Sequence, residues 1–183
     1  MKQKAVIMDE NALNRAIIRI SYEILERNKG ASQLCLVGIL SRGAYIAKRI
    51  AQKLTEIENV SLDVGVLDIT AYRDDKRNAN DYDKTDIPFD IENKRVVLVD
   101  DVIFTGRSTR AAIDAIMTKG RPQSIQLAVL VDRGHRELPM RPDYVGKNVP
   151  TSKNEKVKVM MTEIDDNDMV VIMMEWWFEQ LTY

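Results

Sequence analysis

Two adjacent carboxylates, Asp100 and Asp101, directly follow the apolar run 96–99. Adjacent acids beside a buried core repel each other and lose hydration, so this position is costly unless a ligand compensates it. Carboxylates accept hydrogen bonds from a pair of sugar hydroxyls and can help to place a hydrated Mg²⁺, which seldom uses an all-protein cage. Taken alone, the pair could also be a solvated strand end.

The residues after the acids form a candidate phosphate site. Thr105, Gly106, Arg107 and Ser108 lead into a predicted helix, where free backbone N–H groups and the helix dipole favour an anion. Gly106 removes the Cβ that would block close approach, although Thr105 by itself could be a simple helix cap. Acids for a ribose, followed by amides for a phosphate, predict a ribose-phosphate site within 96–108. The string contains neither the Gly-Lys-Ser/Thr of a P-loop nor the Gly-x-Gly-x-x-Gly of a dinucleotide site.

Strands and helices alternate around this segment. Apolar spacing and turn residues predict a helix capped by Asp9 and ended by Gly30, a strand over 34–39, a turn at 41–43, a helix containing Ile46, Ile50 and Leu54, strands over 60–70, 95–100 and 125–131, and a helix over 110–119. This order predicts an α/β fold with a mainly parallel central sheet flanked by helices.

The predicted sheet brings three loops to one edge. Ligands of open parallel sheets bind beyond the carboxyl ends of the strands, where 41–43, 100–108 and 132–135 all fall. The stretch 72–86 is polar and nearly without aliphatic side chains. A loop of this length in a compact domain is typically functional, so we expect it to be a lid.

The whole chain sets wider bounds. Its 183 residues favour a single domain over 1–183, and 45% hydrophobic with 30% charged residues is typical of a globular protein. The net charge of -1 excludes neither small ligands nor nucleic acid. Cys35 is the one cysteine and sits in an apolar run, which excludes a disulfide within the chain and favours a reducing compartment. With no apolar run long enough for a signal or a membrane span, we expect a cytoplasmic protein and no membrane partner.

The string from Val96 to Ser108 resembles the signature with which type I phosphoribosyltransferases bind 5-phosphoribosyl diphosphate (PRPP). This likeness implies the type I phosphoribosyltransferase fold with a flexible lid loop. From Lys4 through Asp75, and again from Val96 to Ser152, the chain is similar to the bifunctional pyrimidine operon attenuator and uracil phosphoribosyltransferase family. That similarity implies an RNA-binding regulator of transcription attenuation that senses uridine nucleotides. It also implies a transferase that, in many members, converts uracil and PRPP to UMP and diphosphate.

The resemblance assigns roles to individual positions. It implies a diphosphate loop at Ser41, Arg42 and Gly43, a lid root at Arg73, and base-adjacent residues at Asp132 and Arg133. It further implies that the PRPP or nucleotide site contains Asp100, Asp101, Val102, Ile103, Phe104, Thr105, Gly106, Arg107 and Ser108. The expected catalytic residues are Asp100, Asp101 and Arg42, with Mg²⁺ entering as a complex with PRPP near the two acids. Such enzymes pass through an oxocarbenium-like sugar and need no covalent nucleophile.

Some positions depart from the family pattern. The family often has Lys-Thr-Arg where this chain has Leu40, Ser41 and Arg42, and the lid appears shorter than usual. Losing a cation at position 40 bears on the rate of catalysis more than on nucleotide binding. Two alternatives therefore stay open, a phosphoribosyltransferase that acts on a purine base or lacks RNA regulation, and a nucleotide-sensing RNA-binding regulator with little catalysis.

A basic surface is the candidate RNA site. From spacing alone these charges could be a solvated helix face with ordinary loop charges. The resemblance implies contacts to the leader RNA of a pyrimidine operon, through a homodimer or higher homo-oligomer, by Arg19, Arg27, His135, Arg136, Arg141 and Lys147. Ile18 and Tyr22 depart from the polar or imidazole side chains expected there, although Tyr22 could stack on a base.

The single histidine and the carboxyl-terminal tail allow two further interpretations. His135 is the one histidine, which excludes a metal site built on several imidazoles. The divergent tail 173–183 contains both tryptophans, Trp176 and Trp177. We interpret it as a docked terminal strand or an interface patch.

Overall fold

Five parallel strands form the centre of the fold. The structure is a computed structural model that describes residues 1–74 and 83–174. Its helices and strands are β1 (Lys2–Met8), α1 (Glu10–Asn28), β2 (Leu34–Ile39), α2 (Arg42–Glu58), β3 (Asp63–Leu67), β4 (Arg95–Ile103), α3 (Arg107–Met117), β5 (Ser124–Asp132), β6 (Tyr144–Asn148), β7 (Glu155–Met160), α4 (Thr162–Asp165) and β8 (Met169–Met174). The central sheet has the order β3-β2-β4-β5-β6, and every pairing within it is parallel. The predicted α/β fold class is confirmed.

Both faces of the central sheet are covered. On β4, Val97 and Val99 belong to the apolar cluster that contains α1 and α2. Val96 and Leu98 point into a second cluster, which contains α3. A strand buried on both faces has no polar side to alternate with, which explains the unbroken apolar run in the sequence.

A second sheet was not predicted. It is antiparallel, has three strands in the order β1-β8-β7, and contributes to the same apolar cluster as α1 and α2. Its strands pair the first residues of the chain with the last described ones, and local sequence patterns do not predict pairing between such distant residues. The predicted divergent tail begins inside β8, at Met173 and Met174, and its two tryptophans lie outside the described residues.

Several element boundaries differ from prediction around the site. β4 continues through Ile103, so the two acids lie within the strand instead of after it. α2 begins at Arg42, inside the predicted turn, because the chain enters the helix directly from Ser41. α3 begins at Arg107, three residues before the predicted start, since Gly106 reverses the chain with a left-handed φ of 91°.

The first helix forms as its sequence predicts at the amino end. The Asp9 side chain accepts a hydrogen bond from the Ala12 N–H at 2.7 Å, which satisfies a free donor of the first turn. At the carboxyl end, Lys29 takes the left-handed cap position expected for a glycine, and Gly30 follows it with its N–H bonded to the Leu25 carbonyl at 3.0 Å.

The predicted lid lies mostly outside the described residues, which omit 75–82. Its described ends are held close together. The Asp68 carboxylate accepts the Thr70 N–H at 2.9 Å and the Lys84 N–H at 3.3 Å, and Asp86 forms an antiparallel bridge with Val66. None of the helices within the described part of the chain is long and apolar enough to cross a bilayer.

Candidate ribose-phosphate site

The acid pair lies where β4 approaches the edge of the sheet, with Asp100 buried and Asp101 half-buried. Asp100 is 9% exposed. Burial and the neighbouring charge of Asp101 raise the pKa of Asp100 well above its ordinary value, and Arg73 offsets part of this effect. Burial also raises the pKa of Asp101, although the Val102 N–H donates to its carboxylate at 2.8 Å and Arg42 contributes a positive charge. Ionisation of these two acids is unfavourable without a partner, so they are suited to accept hydrogen bonds from a ligand.

The predicted phosphate loop lies next to the acids. Gly106 leads into α3, an eleven-residue helix, and the residues of its first turn line the same cleft as Asp100. A Cβ on Gly106 would lie 3.1 Å from the Met140 Cβ, and its positive φ would also strain any other residue. The backbone here therefore has the conformation that the sequence predicts for an anion site.

An open cleft of about 390 Å³ joins Asp100 to this loop, whereas the neighbouring Asp101 does not line it. Its size suits a phosphorylated sugar rather than a macromolecule. The cleft is lined by Arg73, Asp100, Val102, Ile103, Phe104, Thr105, Gly106, Arg107, Ser108, Thr109 and Glu137. Nearly all of the predicted PRPP positions in this segment are thus brought together, whereas Thr109 and Glu137 were not predicted.

The root of the lid docks on the start of α3. Arg107 forms salt bridges with Asp74 at 2.6 Å and with Glu137 at 2.8 Å. Arg110 donates to the Tyr72 carbonyl at 2.9 Å. These contacts connect the lid root, the phosphate loop and the loop after β5 across one edge of the cleft.

The predicted diphosphate loop packs closely against the acids. A Cβ on Gly43 would collide with the Val99 carbonyl oxygen and would lie 3.1 Å from the Asp100 Cα. Gly43 is therefore needed to let α2 approach β4. Ser41 is exposed at the helix start, and the Leu40 N–H donates to the Leu67 carbonyl at 2.9 Å. The peptide bond between Leu40 and Ser41 is cis.

The guanidinium of Arg42 has a partner that the sequence did not reveal. Its Nη2 lies 2.9 Å and 3.0 Å from the two carboxylate oxygens of Asp165, and its Nε lies 3.3 Å from one of them. Asp165 comes from α4, between the last two described strands. The predicted catalytic arginine is thus anchored from the antiparallel sheet.

The predicted base-adjacent loop contains a buried arginine. Arg133 is 6% exposed, and its guanidinium carbon lies 4.1 Å from the centroid of the Phe104 ring. It donates to the Thr151 hydroxyl at 3.1 Å and to the Ser152 carbonyl at 3.0 Å. Burial lowers the pKa of Arg133, and the charge of Glu155 opposes this effect. This stack fixes one wall of the loop that follows β5.

The neighbouring Arg136 also works inside the protein. It donates to the Phe104 carbonyl at 2.8 Å and the Met140 carbonyl at 2.9 Å, and it pairs with Asp132 at 2.5 Å. His135 bonds the Thr151 carbonyl and packs edge-on against Phe104. Arg136 therefore connects the predicted base loop to the phosphate loop, and its RNA contact stays a prediction.

The other predicted RNA residues mark a seam between α1 and β6. Arg19 donates to the Val145 carbonyl at 3.1 Å, and Arg27 pairs with Asp143 at 2.7 Å. Lys147 donates to the Ile7 carbonyl at 3.2 Å. The side chains of Arg19 and Arg27 are about half exposed, at 50% and 53%, and Arg141 is also exposed. The structure brings Arg19, Arg27 and Lys147 to this seam, which we call the basic face, although Glu23 and Asp143 pair with its two arginines.

The donor chemistry of the acid pair fits a magnesium complex. Carboxylate oxygens are the hard ligands that Mg²⁺ prefers, and Asp100 and Asp101 are adjacent. No group of three or more metal-binding side chains comes together within 1–74 and 83–174. Phosphate oxygens and water would have to supply the remaining ligands.

Comparison with known proteins identifies the kind of chain. A family described as the phosphoribosyl transferase domain matches residues 6–167. The bifunctional protein PyrR of Bacillus subtilis is 57% identical over 177 residues, covering 94% of this chain and 98% of that protein. The bifunctional protein PyrR of Listeria monocytogenes is 55% identical over 178 residues, covering 94% of this chain and 97% of that protein. The protein of the same name from Caldicellulosiruptor bescii is 57% identical over 175 residues, covering 94% and 96%.

Solved structures agree on the fold. The hypoxanthine phosphoribosyltransferase of Trypanosoma cruzi superposes with a TM-score of 0.72 at 19% identity, covering 94% of this chain and 97% of that one. A hypoxanthine phosphoribosyltransferase from Staphylococcus aureus gives a TM-score of 0.67 at 19% identity, covering 84% and 80%. At such low identity these likenesses show the fold and carry no information about the base.

Proposed function

The chain belongs to the phosphoribosyltransferase family and, within it, to the bifunctional PyrR proteins. On this premise we propose that it is a uracil phosphoribosyltransferase and also an RNA-binding regulator that senses uridine nucleotides and controls transcription attenuation of pyrimidine genes. A single domain over 1–183 performs both tasks. The family supports the pairing of an enzyme with a regulator.

One observation carries the enzymatic part, a cleft that holds the buried Asp100, next to Asp101 in the chain, together with the amino end of α3. Asp100 and Asp101 accept the two ribose hydroxyls, and the backbone N–H groups of 104–108 bind the 5′-phosphate. Both PRPP and UMP contain these two groups, so one site serves substrate and product.

The reaction requires positioning more than covalent chemistry. The bond from C1′ of the ribose to the diphosphate oxygen breaks with its electron pair on the oxygen, while a bond forms between C1′ and N1 of uracil, which loses its proton. We assign Arg42 and the start of α2 to the diphosphate, and the close packing of Gly43 against the Asp100 backbone supports this assignment. The loop of Asp132 and Arg133 holds the base. Developing charge on the leaving group is stabilised by fixed cations in a partly dry site.

Magnesium completes this assignment. Asp100 and Asp101 would help to hold an Mg²⁺ that binds together with PRPP, and the ion would supply positive charge to the leaving diphosphate. The raised pKa of both acids supports a cationic or hydrogen-bonding ligand beside them, because such a ligand offsets their mutual repulsion.

The regulatory part uses the basic face between α1 and β6. Arg19, Arg27 and Lys147 support phosphate contacts with leader RNA, together with Arg141, His135 and Arg136. One small domain offers few contacts to a structured hairpin, so the binding form is a homodimer or higher homo-oligomer. The protein acts in the cytoplasm, where the buried thiol of Cys35 stays reduced.

A turnover assay tests the enzymatic proposal. The protein is incubated with PRPP and Mg²⁺ in the presence of uracil, hypoxanthine or guanine, and nucleotide formation is measured. We expect UMP from uracil and no turnover without Mg²⁺. Efficient use of hypoxanthine with none of uracil would reject the choice of base.

A filter-binding assay tests the regulatory proposal. Affinity is measured for the leader RNA of a pyrimidine operon and for an unrelated RNA of equal length, with and without UMP. We expect preference for the leader, enhanced by UMP, and linkage then requires the leader to strengthen UMP binding by the same factor. Equal affinity for both RNAs would reject regulation.

A second candidate is a nucleotide-sensing regulator with little catalysis. The observation that favours it is Leu40, an apolar side chain where the family often has a lysine in the diphosphate loop. Tight UMP binding and leader RNA binding, without turnover of any base, would support this candidate over the enzyme.

A further inference from the structure

The acidic turn formed by 163–168 docks on two arginines of α2. Arg42 pairs with Asp165, and Arg49 pairs with Asp168 at 2.5 Å and with Glu163 at 2.7 Å. Seven residues separate the two arginines, which is about two helical turns, so they lie on the same face of α2. Both pairs connect the antiparallel sheet to the helix that follows the diphosphate loop.

The two aspartates are built alike. Asp165 is 13% exposed and accepts the Met161 N–H at 3.1 Å, while Asp168 is 7% exposed and accepts the Thr162 N–H at 2.7 Å. Each combines one backbone donor with one arginine of α2, and Asp165 has in addition Lys158 at 3.8 Å. If these contacts served only to attach the turn, the two aspartates would be interchangeable in function.

Their arginines differ in position. Arg42 is the first residue of α2, next to Ser41, and the following Gly43 lies against the Asp100 backbone. Arg49 lies two turns further along the helix, away from the acid pair. Of the two arginines, Arg42 alone belongs to the loop that reaches the candidate diphosphate position.

The orientation of Arg42 matters because the loop has no second cation. The stretch 40–43 reads Leu, Ser, Arg and Gly. The side-on bonds to Asp165 use Nε and Nη2, so they fix the plane of the guanidinium and leave the Nη1 hydrogens to other acceptors. A fixed guanidinium loses less conformational entropy when it binds a phosphate than a mobile one does.

We propose that Asp165 is a positioning residue, which holds Arg42 in the orientation that contacts the diphosphate of PRPP. The inference rests on the proposed PRPP site and adds to it a residue from a distant part of the chain. It also accounts for how the loop works without a lysine at position 40. Because UMP has no diphosphate, the role of Asp165 is specific to PRPP and to diphosphate itself.

Calorimetry with three ligands tests this inference. Mg-PRPP, Mg-diphosphate and UMP are titrated into the wild-type protein and into Asp165→Ala, Asp165→Asn and Asp168→Ala. Asp165→Ala should lower the affinities for PRPP and diphosphate by about tenfold, since the charge-assisted contact of Arg42 loses its preorganisation. The affinity for UMP should stay within about twofold of wild type. Asp165→Asn keeps an acceptor for Met161 and should lie between wild type and alanine.

Asp168→Ala is the matched control. It removes a buried aspartate with the same pattern of partners, so it should lower the melting temperature at least as much as Asp165→Ala but leave all three affinities unchanged. The positioning role would be overturned if both variants lost PRPP affinity equally, or if Asp165→Ala lost UMP affinity as much as PRPP affinity. Unchanged PRPP affinity in Asp165→Ala would also overturn it. Wild-type protein that binds neither PRPP nor UMP would overturn the proposed function as well, which separates the two failures.

Discussion

The acid pair of β4 and the acidic turn around α4 use the same side chain in opposite ways. Asp100 is buried and Asp101 half-buried, and burial raises the pKa of both carboxyls. Burial also opposes ionisation of Asp165 and Asp168. There the backbone N–H groups of 161 and 162 and the arginines of α2 outweigh it and lower both pKa values.

The opposite pKa shifts distinguish aspartates with a structural role from aspartates suited to bind a ligand. An aspartate whose charge is already neutralised inside the protein gains less from a ligand than an acid pair with raised pKa, which a cationic or hydrogen-bond-donating ligand stabilises. The acid pair is thus the better candidate for contact with a substrate. The acidic turn acts on the same site indirectly, through Arg42.

The strongest expected effect comes from neutralising the acid pair. The double variant Asp100→Asn with Asp101→Asn should weaken PRPP binding by about tenfold or more, because hydrogen bonds to charged groups contribute about 1.5–3 kcal/mol each. Calorimetry with Mg-PRPP measures the change, and circular dichroism checks the fold. Unchanged affinity would place the ribose elsewhere and remove the contrast with Asp165.

A backbone change at the phosphate loop should be the next largest. Gly106→Ala places a Cβ at a φ of 91° and close to Met140, where a left-handed conformation costs about 1–2 kcal/mol. UMP affinity should fall by about tenfold or somewhat less. Ser108→Ala, which removes a hydroxyl but keeps the backbone, is the milder comparison. If Gly106→Ala bound UMP as well as wild type, the loop would not be the phosphate site.

The same contrast applies to the arginines. Arg141 is exposed, and Arg136 has internal partners. Arg141→Ala should flatten the salt dependence of RNA binding by roughly one counterion and leave UMP binding intact. Arg136→Ala should in addition weaken UMP binding several-fold, because the Phe104 carbonyl loses its donor. Filter binding across salt concentrations, beside UMP titrations, distinguishes them, and identical behaviour of the two variants would contradict the contrast.

The smallest effect concerns stability against pH. A carboxyl whose pKa is raised on folding binds protons more tightly in the folded state. The free energy of unfolding therefore falls as pH rises from the unfolded-state pKa of about 4 through the folded-state pKa. The double Asn variant should therefore melt a few degrees higher than wild type at pH 7, without Mg²⁺ or ligand. This advantage should shrink towards pH 4.

The acidic turn should show the opposite sign. Its carboxyls have lowered pKa values, so their stabilisation is present above pH of about 4 and is lost as pH falls through the folded pKa. Asp168→Asn should accordingly lower the melting temperature at pH 7 and converge with wild type in acid. Melting curves that move in the same direction for both sets of variants would contradict the comparison.

Local patterns predicted much of the fold. The capped helix α1, the strand β2 and the sequence of strand, acids and helix around Gly106 all follow from neighbouring residues, and each is present. Family resemblance then added what spacing could not supply, the identity of the sugar phosphate and the base.

Contacts between distant residues were beyond such reasoning. The bond from Arg42 to Asp165 spans 123 positions, and the antiparallel sheet pairs Lys2 with Met174. Nothing local marks Asp165 as different from the other acids of its turn. The internal bonds of Arg136 were likewise hidden, because its sequence neighbours fit a surface loop as well as a buried one.

A crystal structure of the complex with UMP tests the central claim most directly. The ribose hydroxyls should lie within hydrogen-bonding distance of Asp100 and Asp101, the phosphate should lie on the backbone N–H groups of 104–108, and Arg42 should remain paired with Asp165. UMP bound outside this cleft, or oriented with its phosphate away from the start of α3, would contradict the assignment of the site.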